Sequence, residues 1–135
     1  ARKLGCDVHL RAPDDGTMGT QELAGRVLRD GYASAEQACV IYPCSPMLWP
    51  ADLRRARTLF DAGGAGYVVS SYPDRIDDCG CFYYGAAQDF MLFRPLVSVY
   101  TRILPIPAER CIDINTPEDW AKAEQMFDAL KGNHV

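Results

Sequence analysis

The amino-acid sequence predicts an α/β fold with a mostly parallel, layered sheet flanked by helices. Short apolar runs alternate with longer segments in which apolar residues recur at helical spacing. Residues 38–42 are apolar without interruption, which is typical of a strand buried on both faces. The 135 residues contain neither a repeat nor a linker, so we expect a single domain over residues 1–135.

The predicted elements follow in order from these patterns. Strands are predicted at residues 4–10, 38–42, 66–71, 81–84 and 98–105, and a further short apolar run occupies 111–114. Helices are predicted at residues 21–31, 50–62, 86–94 and 117–132. Pro50 and Pro117 suit the first turn of a helix, because an N–H has no helical partner there. Thr20 and Thr116 suit the N-cap position, where a hydroxyl accepts a hydrogen bond from an amide group.

Composition narrows the class of function. The net charge of -4 and the lack of a basic face disfavour a nucleic acid as partner. No apolar run approaches the roughly 20 residues that span a bilayer, and no basic amphipathic segment indicates a membrane surface. Without the apolar segment of a signal peptide, the expected compartment is the cytoplasm. Because the chain opens at Ala1 rather than at a methionine, we expect a processed product or a fragment.

Six cysteines are spread along the chain without the spacing of a disulfide framework. We expect reduced, mostly buried thiols that pack as small apolar side chains. The pair Cys79 and Cys81 could form half of a metal site, but a closed zinc site needs four ligands and no second pair exists. A metal or redox protein that uses these cysteines therefore remains only a third alternative.

Polar residues follow the predicted strands at three places: after Leu10, at 43–46 and at 113–116. Ligands of α/β sheets gather at the carboxyl ends of strands, so we expect these segments near a binding site. In an alternating strand end, Asp113 and Asn115 would point to one side and could hold a magnesium ion. The alternative is that Asn115 and Thr116 simply form a turn and a helix cap.

Three further features have two interpretations each. The loop 14–20 could wrap an anion with its backbone amides, or it is a solvated loop. Cys44 could act as a nucleophile only beside a base, and neither histidine is a persuasive partner. Arg102 and Arg110 could each clamp a carboxylate or phosphate, or each could be a surface charge.

Four segments together resemble one enzyme family. Residues 106–120, followed by Ala123 and Glu124, resemble the C-terminal signature of acylneuraminate and pseudaminic acid cytidylyltransferases. Residues 78–85 resemble the DAGQFYWG-like segment of the pseudaminic acid branch. Residues 42–46 match the loop written QPTSP in sialic acid enzymes, and residues 15–20 match the DDxTGT loop. The four segments occur in the family's order and cover nearly the whole chain.

The resemblance implies a nucleotide-diphospho-sugar transferase-like fold, which is a Rossmann-like layered sheet, here truncated. It also implies transfer of CMP from CTP to a nine-carbon sugar acid, with release of pyrophosphate and with magnesium as cofactor. On this basis Asp113 and Arg110 are the predicted catalytic residues, and Asp113 and Asn115 are the predicted metal ligands. The predicted substrate-binding residues are Asp15, Thr17, Thr20, Tyr42, Cys44 and Ser45.

Departures from the family pattern predict an impaired or incomplete catalyst. Nothing here matches the family's first strand and its Gly/Arg/Lys-rich loop for the CTP phosphates. Asn115 replaces an aspartate, Tyr42 replaces a glutamine of the sialic acid branch, and the long excursion after Tyr72 is almost absent. The missing strand leaves an exposed sheet edge, which predicts a homodimer or a domain-swapped oligomer. The alternative function is a non-catalytic module of this fold that binds a small molecule or another protein.

Overall fold

The computed structural model describes residues 2–10, 17–74 and 77–132. The strands in these ranges are Gln37–Ile41 (β1), Tyr67–Ser71 (β2), Asp78–Ala86 (β3) and Thr101–Pro105 (β4). The α-helices are Thr20–Gly31 (α1), Pro50–Asp61 (α2), Ala87–Met91 (α3) and Pro117–Gly132 (α4). Short 3-10 turns occupy Arg2–Leu4 and Ala108–Arg110.

The four strands form one mixed sheet in the order β1-β3-β2-β4. β3 pairs antiparallel with both β1 and β2, whereas β2 and β4 pair in parallel. The α/β prediction is therefore confirmed, but the sheet is mixed rather than mostly parallel. The reason is the short connection 72–77 between β2 and β3, because a parallel pair needs a crossover of a dozen residues or more.

Helices cover both faces of this sheet. On one face, Leu53, Ala56 and Phe60 of α2 pack against Val68 and Tyr84 of the sheet. On the other face, α1 and α3 pack against a cluster that includes tyrosine side chains of β2 and β3. α4 lies at one end of the sheet and closes a third, smaller core with the segments before α2 and after the second 3-10 turn. The protein is thus a layered α/β domain.

One predicted strand, at residues 4–10, and the alternating strand end expected at 113–115 do not form. Residues 7–10 have no regular secondary structure, and Leu4 and Leu10 are more than four-fifths exposed. A short alternating run is not stable as a strand without a neighbouring strand to pair with. Residues 111–115 are also irregular, and they follow the 3-10 turn Ala108–Arg110 that separates them from β4.

The two threonines predicted as helix caps differ. Thr116 caps α4, since its Oγ1 accepts the Asp119 N–H at 3.1 Å while the Asp119 carboxylate accepts the Thr116 N–H at 3.0 Å. At α1 the cap position is Gly19, and Thr20 is the first helical residue. The Thr20 hydroxyl is hydrogen-bonded to Tyr42 instead.

None of the helices in the described ranges has the length and apolar character needed to cross a membrane. All six cysteines lie in those ranges, and all are thiols rather than disulfides. Cys79, Cys81 and Cys111 are buried, Cys39 and Cys44 are half-buried, and Cys6 is exposed. Five of the six thiols are therefore buried or half-buried, which agrees with the expectation of mostly buried thiols.

Candidate functional site

Three polar segments that are distant in sequence meet at one end of the sheet. β1, β2 and β4 run in the same direction, so their carboxyl ends lie at one edge together with the start of the reversed strand β3. We call this edge the polar edge. Its members are Thr20, Tyr42, Ser45, Asp78, Tyr83 and Asp113.

Hydrogen bonds join the members of the polar edge across the fold. The hydroxyls of Thr20 and Tyr42 are 2.7 Å apart, which connects the start of α1 to the end of β1. Ser45 Oγ donates to the Gly80 carbonyl at 3.3 Å. The carboxylate of Asp113 lies against Gly80, with its Cγ 3.8 Å from the position that a Cβ would take there. The loop after β1 and the segment after β4 thus both contact Gly80, near the start of β3.

Two tyrosines form the floor of the polar edge. The rings of Tyr42 and Tyr83 meet edge to face, with centroids 5.7 Å apart. The Tyr83 hydroxyl donates a short hydrogen bond to the Asp78 carboxylate. Burial raises the pKa of Tyr83, and the neighbouring Asp78 and Tyr42 raise it further. Tyr83 is therefore a proton donor at neutral pH and holds the Asp78 carboxylate in one orientation.

A large bulge at the start of β3 shapes this edge. Val69 pairs with Tyr83 and Ser71 pairs with Asp78, so Ser70 alone faces four residues of β3. Ser70 Oγ accepts the N–H groups of both Cys81 and Phe82 at 3.1 Å. The bulge turns at Gly80, whose φ of +67° is in the left-handed region.

The bulge brings the sulfurs of three cysteines together beneath the polar edge. The Sγ atoms of Cys79 and Cys81 are 3.6 Å apart, and both lie within 4.8 Å of the Cys111 Sγ. The Cys81 thiol lowers the pKa of Cys79 to about 6, with help from Ser70 and Cys111 and against the opposing effect of burial. The pKa of Cys81 is raised by the same contact with Cys79 and by burial. One thiolate in this group is therefore stabilised at the expense of its neighbour.

The predicted metal ligands Asp113 and Asn115 are both exposed. The alternation that would place them on one side requires a strand, and residues 111–115 do not form one. The Asn115 N–H donates to the Asp119 carboxylate at 3.1 Å, beside the cap made by Thr116. The turn-and-cap alternative is therefore what the backbone of this segment adopts. Asp113 is the member of the pair that lies at the polar edge.

Arg110 is engaged in a buried ion pair with Asp52. Its guanidinium donates to both carboxylate oxygens of Asp52, at 2.6 and 3.1 Å, and to the Met47 carbonyl at 3.3 Å. It also stacks on Trp49, 4.0 Å from the ring centroid. Arg102 is engaged elsewhere, since it donates to the carbonyls of Leu59 and Gly63 at the end of α2. Both arginines therefore hold structural elements together.

Cys44 lines an apolar pocket of about 200 Å³ between the loop after β1 and α4. Pro43 and Pro46 form one wall, and Trp120 and Phe127 of α4 form the other. No histidine is among the lining residues. The basic group among the lining residues is the Glu124 carboxylate of α4, so this pocket does not pair Cys44 with a histidine.

The remaining predicted substrate residues are in the loop before α1. Thr17 is exposed at the start of the second described range. Asp15 lies outside the described residues. Of the six predicted substrate-binding residues, Thr20, Tyr42 and Ser45 belong to the polar edge.

Sequence reasoning missed several side chains that organise this region. Asp52 and Ser70 are buried polar residues inside otherwise ordinary helix and strand patterns, so no local signal marks them. Asp78, Tyr83 and Cys111 lie within the segments quoted for the family resemblance, but nothing in the sequence says that they meet. Comparison with protein-family models gives no match, and comparison with curated proteins gives no significant match. The functional interpretation therefore depends on the residues described above.

Proposed function

We propose that this chain is a cytidylyltransferase-like domain that binds an acidic sugar or the CMP part of a nucleotide at the polar edge, and that it is an incomplete catalyst by itself. One observation carries the proposal. The loop before α1, the loop after β1 and the segment after β4 are the three segments that the resemblance assigns to substrate and metal. They meet at one end of the sheet through the Thr20–Tyr42, Ser45–Gly80 and Asp113–Gly80 contacts.

The side chains at the polar edge suit a polyhydroxylated ligand. Thr20, Tyr42 and Ser45 each offer a hydroxyl that both donates and accepts hydrogen bonds. A sugar acid presents several hydroxyls and one carboxylate, and such ligands are oriented by a few well-placed polar groups. The half-buried positions of these three residues limit the loss of side-chain freedom on binding.

Magnesium fits this edge as a bridging ion. Mg²⁺ usually binds one or two carboxylates together with waters and the phosphates of a substrate. The carboxylates of Asp113 and Asp78 both lie beside Gly80, and both residues are exposed. When bound, the ion would neutralise part of the charge of a triphosphate. Asp113 is then the residue that holds it, and Asp78 remains oriented by Tyr83.

The charge of the domain limits its chemistry. A triphosphate is stabilised by Arg or Lys donors or by a metal ion. Arg110, which was the predicted cationic residue for this task, is paired with Asp52 in the interior. The chain also carries a net charge of -4. We therefore expect weak, magnesium-dependent binding of CTP and no transfer of CMP by this chain alone.

A homodimer is part of the proposal because β1 is an open edge. Among the described residues β1 pairs on one side only, with β3, and its Ile41 side chain is about half exposed. An unpaired edge strand is a template for another strand. A second copy of β1 can pair with it through the main chain.

Calorimetric titration of the purified chain tests the ligand proposal. CTP with magnesium, CMP, sialic acid and pseudaminic acid are titrated separately. We expect heat from CTP only when magnesium is present, and a loss of that heat in Asp113→Ala. Asp128→Ala is the matched control, because Asp128 is an exposed carboxylate on α4 that pairs with Lys131 at 3.7 Å. Absence of heat with all four ligands, or equal binding by Asp113→Ala, would contradict the proposal.

A further inference from the structure

The three sulfurs beneath the polar edge have the separations of a metal site. Two sulfurs bound at 2.3 Å to a tetrahedral zinc ion lie about 3.8 Å apart. The Cys79 and Cys81 sulfurs are 3.6 Å apart, and all three sulfurs lie within 4.8 Å of one another. Within the described ranges, this is the one group of three or more His, Cys, Asp or Glu side chains whose ligand atoms come this close. Small movements of the three side chains would therefore suffice to coordinate an ion.

The backbone is specifically arranged to bring two of these sulfurs together. Side chains at positions i and i+2 of a regular strand point the same way, but their Cα atoms are separated by about 6.6 Å of rise. Here the bulge leaves the two sulfurs 3.6 Å apart, with Gly80 at φ +67° and its N–H bonded to Asp78 Oδ1 at 2.8 Å. Ser70 holds the returning strand by accepting the next two amide groups. Bulges of this kind re-aim side chains at functional positions.

The third sulfur comes from a different part of the chain. Cys111 follows the 3-10 turn after β4, and Arg110 fixes that turn through its ion pair with Asp52. Cys111 is about 9% exposed, whereas Cys79 and Cys81 are almost fully buried. The Cys111 side is therefore where an ion reaches the group from solvent.

We propose that Cys79, Cys81 and Cys111 form a three-sulfur binding site for a thiophilic cation of the zinc class. Thiolate sulfur selects soft ions such as Zn²⁺ over the hard ions that oxygen ligands prefer. Three protein ligands leave one position of a tetrahedral ion for water or for another ligand. Ser45 and Asp113, which both belong to the polar edge, contact Gly80 between two of the cysteines. The proposal does not depend on nucleotide or sugar binding.

Cobalt and zinc titrations of the reduced chain under anaerobic conditions test the site. We expect one equivalent of Co²⁺ to produce the charge-transfer absorption of thiolate-bound cobalt, and Zn²⁺ to displace it. Zinc content after gel filtration gives the stoichiometry independently. No nucleotide is present in either measurement, so failure of the nucleotide proposal leaves the result unaffected.

Single substitutions assign the ligands. Cys111→Ser and Cys79→Ser each remove one sulfur and are expected to weaken zinc binding by at least about 100-fold, since even partners beyond the ligands themselves account for 10- to 100-fold effects. Cys6→Ser and Cys44→Ser are the matched controls, because both thiols lie outside the group. Unchanged zinc affinity in Cys111→Ser would overturn the assignment.

A measurement on the unaltered chain covers the case in which a variant fails to fold. Alkylation followed by peptide mass mapping is compared with and without Zn²⁺. We expect zinc to protect Cys79, Cys81 and Cys111, and to leave Cys6 and Cys44 equally reactive. If adding Zn²⁺ left the alkylation of Cys79, Cys81 and Cys111 unchanged, the proposal would be overturned.

Discussion

The Arg110 guanidinium contacts three residues of the segment that leads into α2. It pairs with Asp52 at the start of α2, donates to the Met47 carbonyl and stacks on Trp49. Burial raises the pKa of Asp52, but the hydrogen bonds from Arg110 and from the Trp49 N–H outweigh this effect and lower the pKa overall. The ionised pair is therefore the stable state at neutral pH.

Removing one partner of this pair should be costly. Arg110→Met leaves the Asp52 carboxylate buried without its cation, so we expect a loss of about 3–5 kcal/mol in the free energy of unfolding at pH 7. The loss should shrink toward pH 4, because the unpaired carboxylate can then take up a proton in the folded variant. Urea unfolding at the two pH values measures both effects.

The double variant Asp52→Asn with Arg110→Met provides the control. It removes both charges, so we expect it to be more stable than Arg110→Met alone. A double variant as unstable as the single one would show that Arg110 acts through packing on Trp49 rather than through its charge.

For other residues the sequence predicted that a side chain would form a hydrogen bond, but not which residue it would bond to. Thr20 was predicted as a cap and as a ligand residue, and its hydroxyl is found bonded to Tyr42. A threonine before a helix offers a hydroxyl in any fold. Whether that hydroxyl bonds its own helix or another segment depends on what the fold places beside it.

At the scale of elements, α1 packs closely on α3 at Gly25. A Cβ on Gly25 would lie 2.4 Å from the Phe90 carbonyl oxygen and 2.8 Å from the Phe93 ring. Only glycine lets α1 approach α3 this closely. The close contact brings the Leu28 side chain of α1 against the same cluster as Phe90.

Gly25→Ala should therefore destabilise the domain by about 1–3 kcal/mol through overpacking, although alanine is the better helix former. Gly31→Ala is the matched control in the same helix, because a Cβ there has no atom within 4 Å. We expect the control to be neutral or slightly stabilising in chemical denaturation. Equal effects of the two changes would argue against close packing of α1 on α3.

The sequence patterns identified β3 only in part. Its aromatic run predicted a strand at 81–84, whereas the strand extends over Asp78–Ala86. Cys79 and Gly80 have no strand signature by themselves, since a glycine inside a strand indicates a bulge or a turn. The strand reaches back past this bulge because Asp78 pairs again with Ser71 of β2.

At the scale of the whole molecule, the open edge of β1 predicts self-association. We expect a dimer of about 30 kDa, twice the 15.0 kDa of the chain, by light scattering at high concentration. Ile41→Lys should shift the protein to monomer, because an edge lysine opposes strand addition. The measurement is the molar mass as a function of concentration.

The other edge of the sheet provides the control. Ile103 of β4 is also partly exposed, so Ile103→Lys makes the same change at the opposite edge. We expect it to leave the dimer intact. A monomer at all concentrations, or a dimer that Ile103→Lys disrupts and Ile41→Lys does not, would contradict pairing through β1.

The sequence by itself determined the α/β class, the four helices and four of the strands, because apolar periodicity and helix-end residues are local properties. It also placed Tyr42 and Ser45 after a buried strand, whereas the strand predicted before Thr20 does not form. Only the tertiary structure decided the reversed direction of β3, the burial of Arg110 against Asp52 and the meeting of the three sulfurs. These features join residues that are up to 58 positions apart in the chain. Such pairings depend on the shape of the packed sheet, which no single segment encodes.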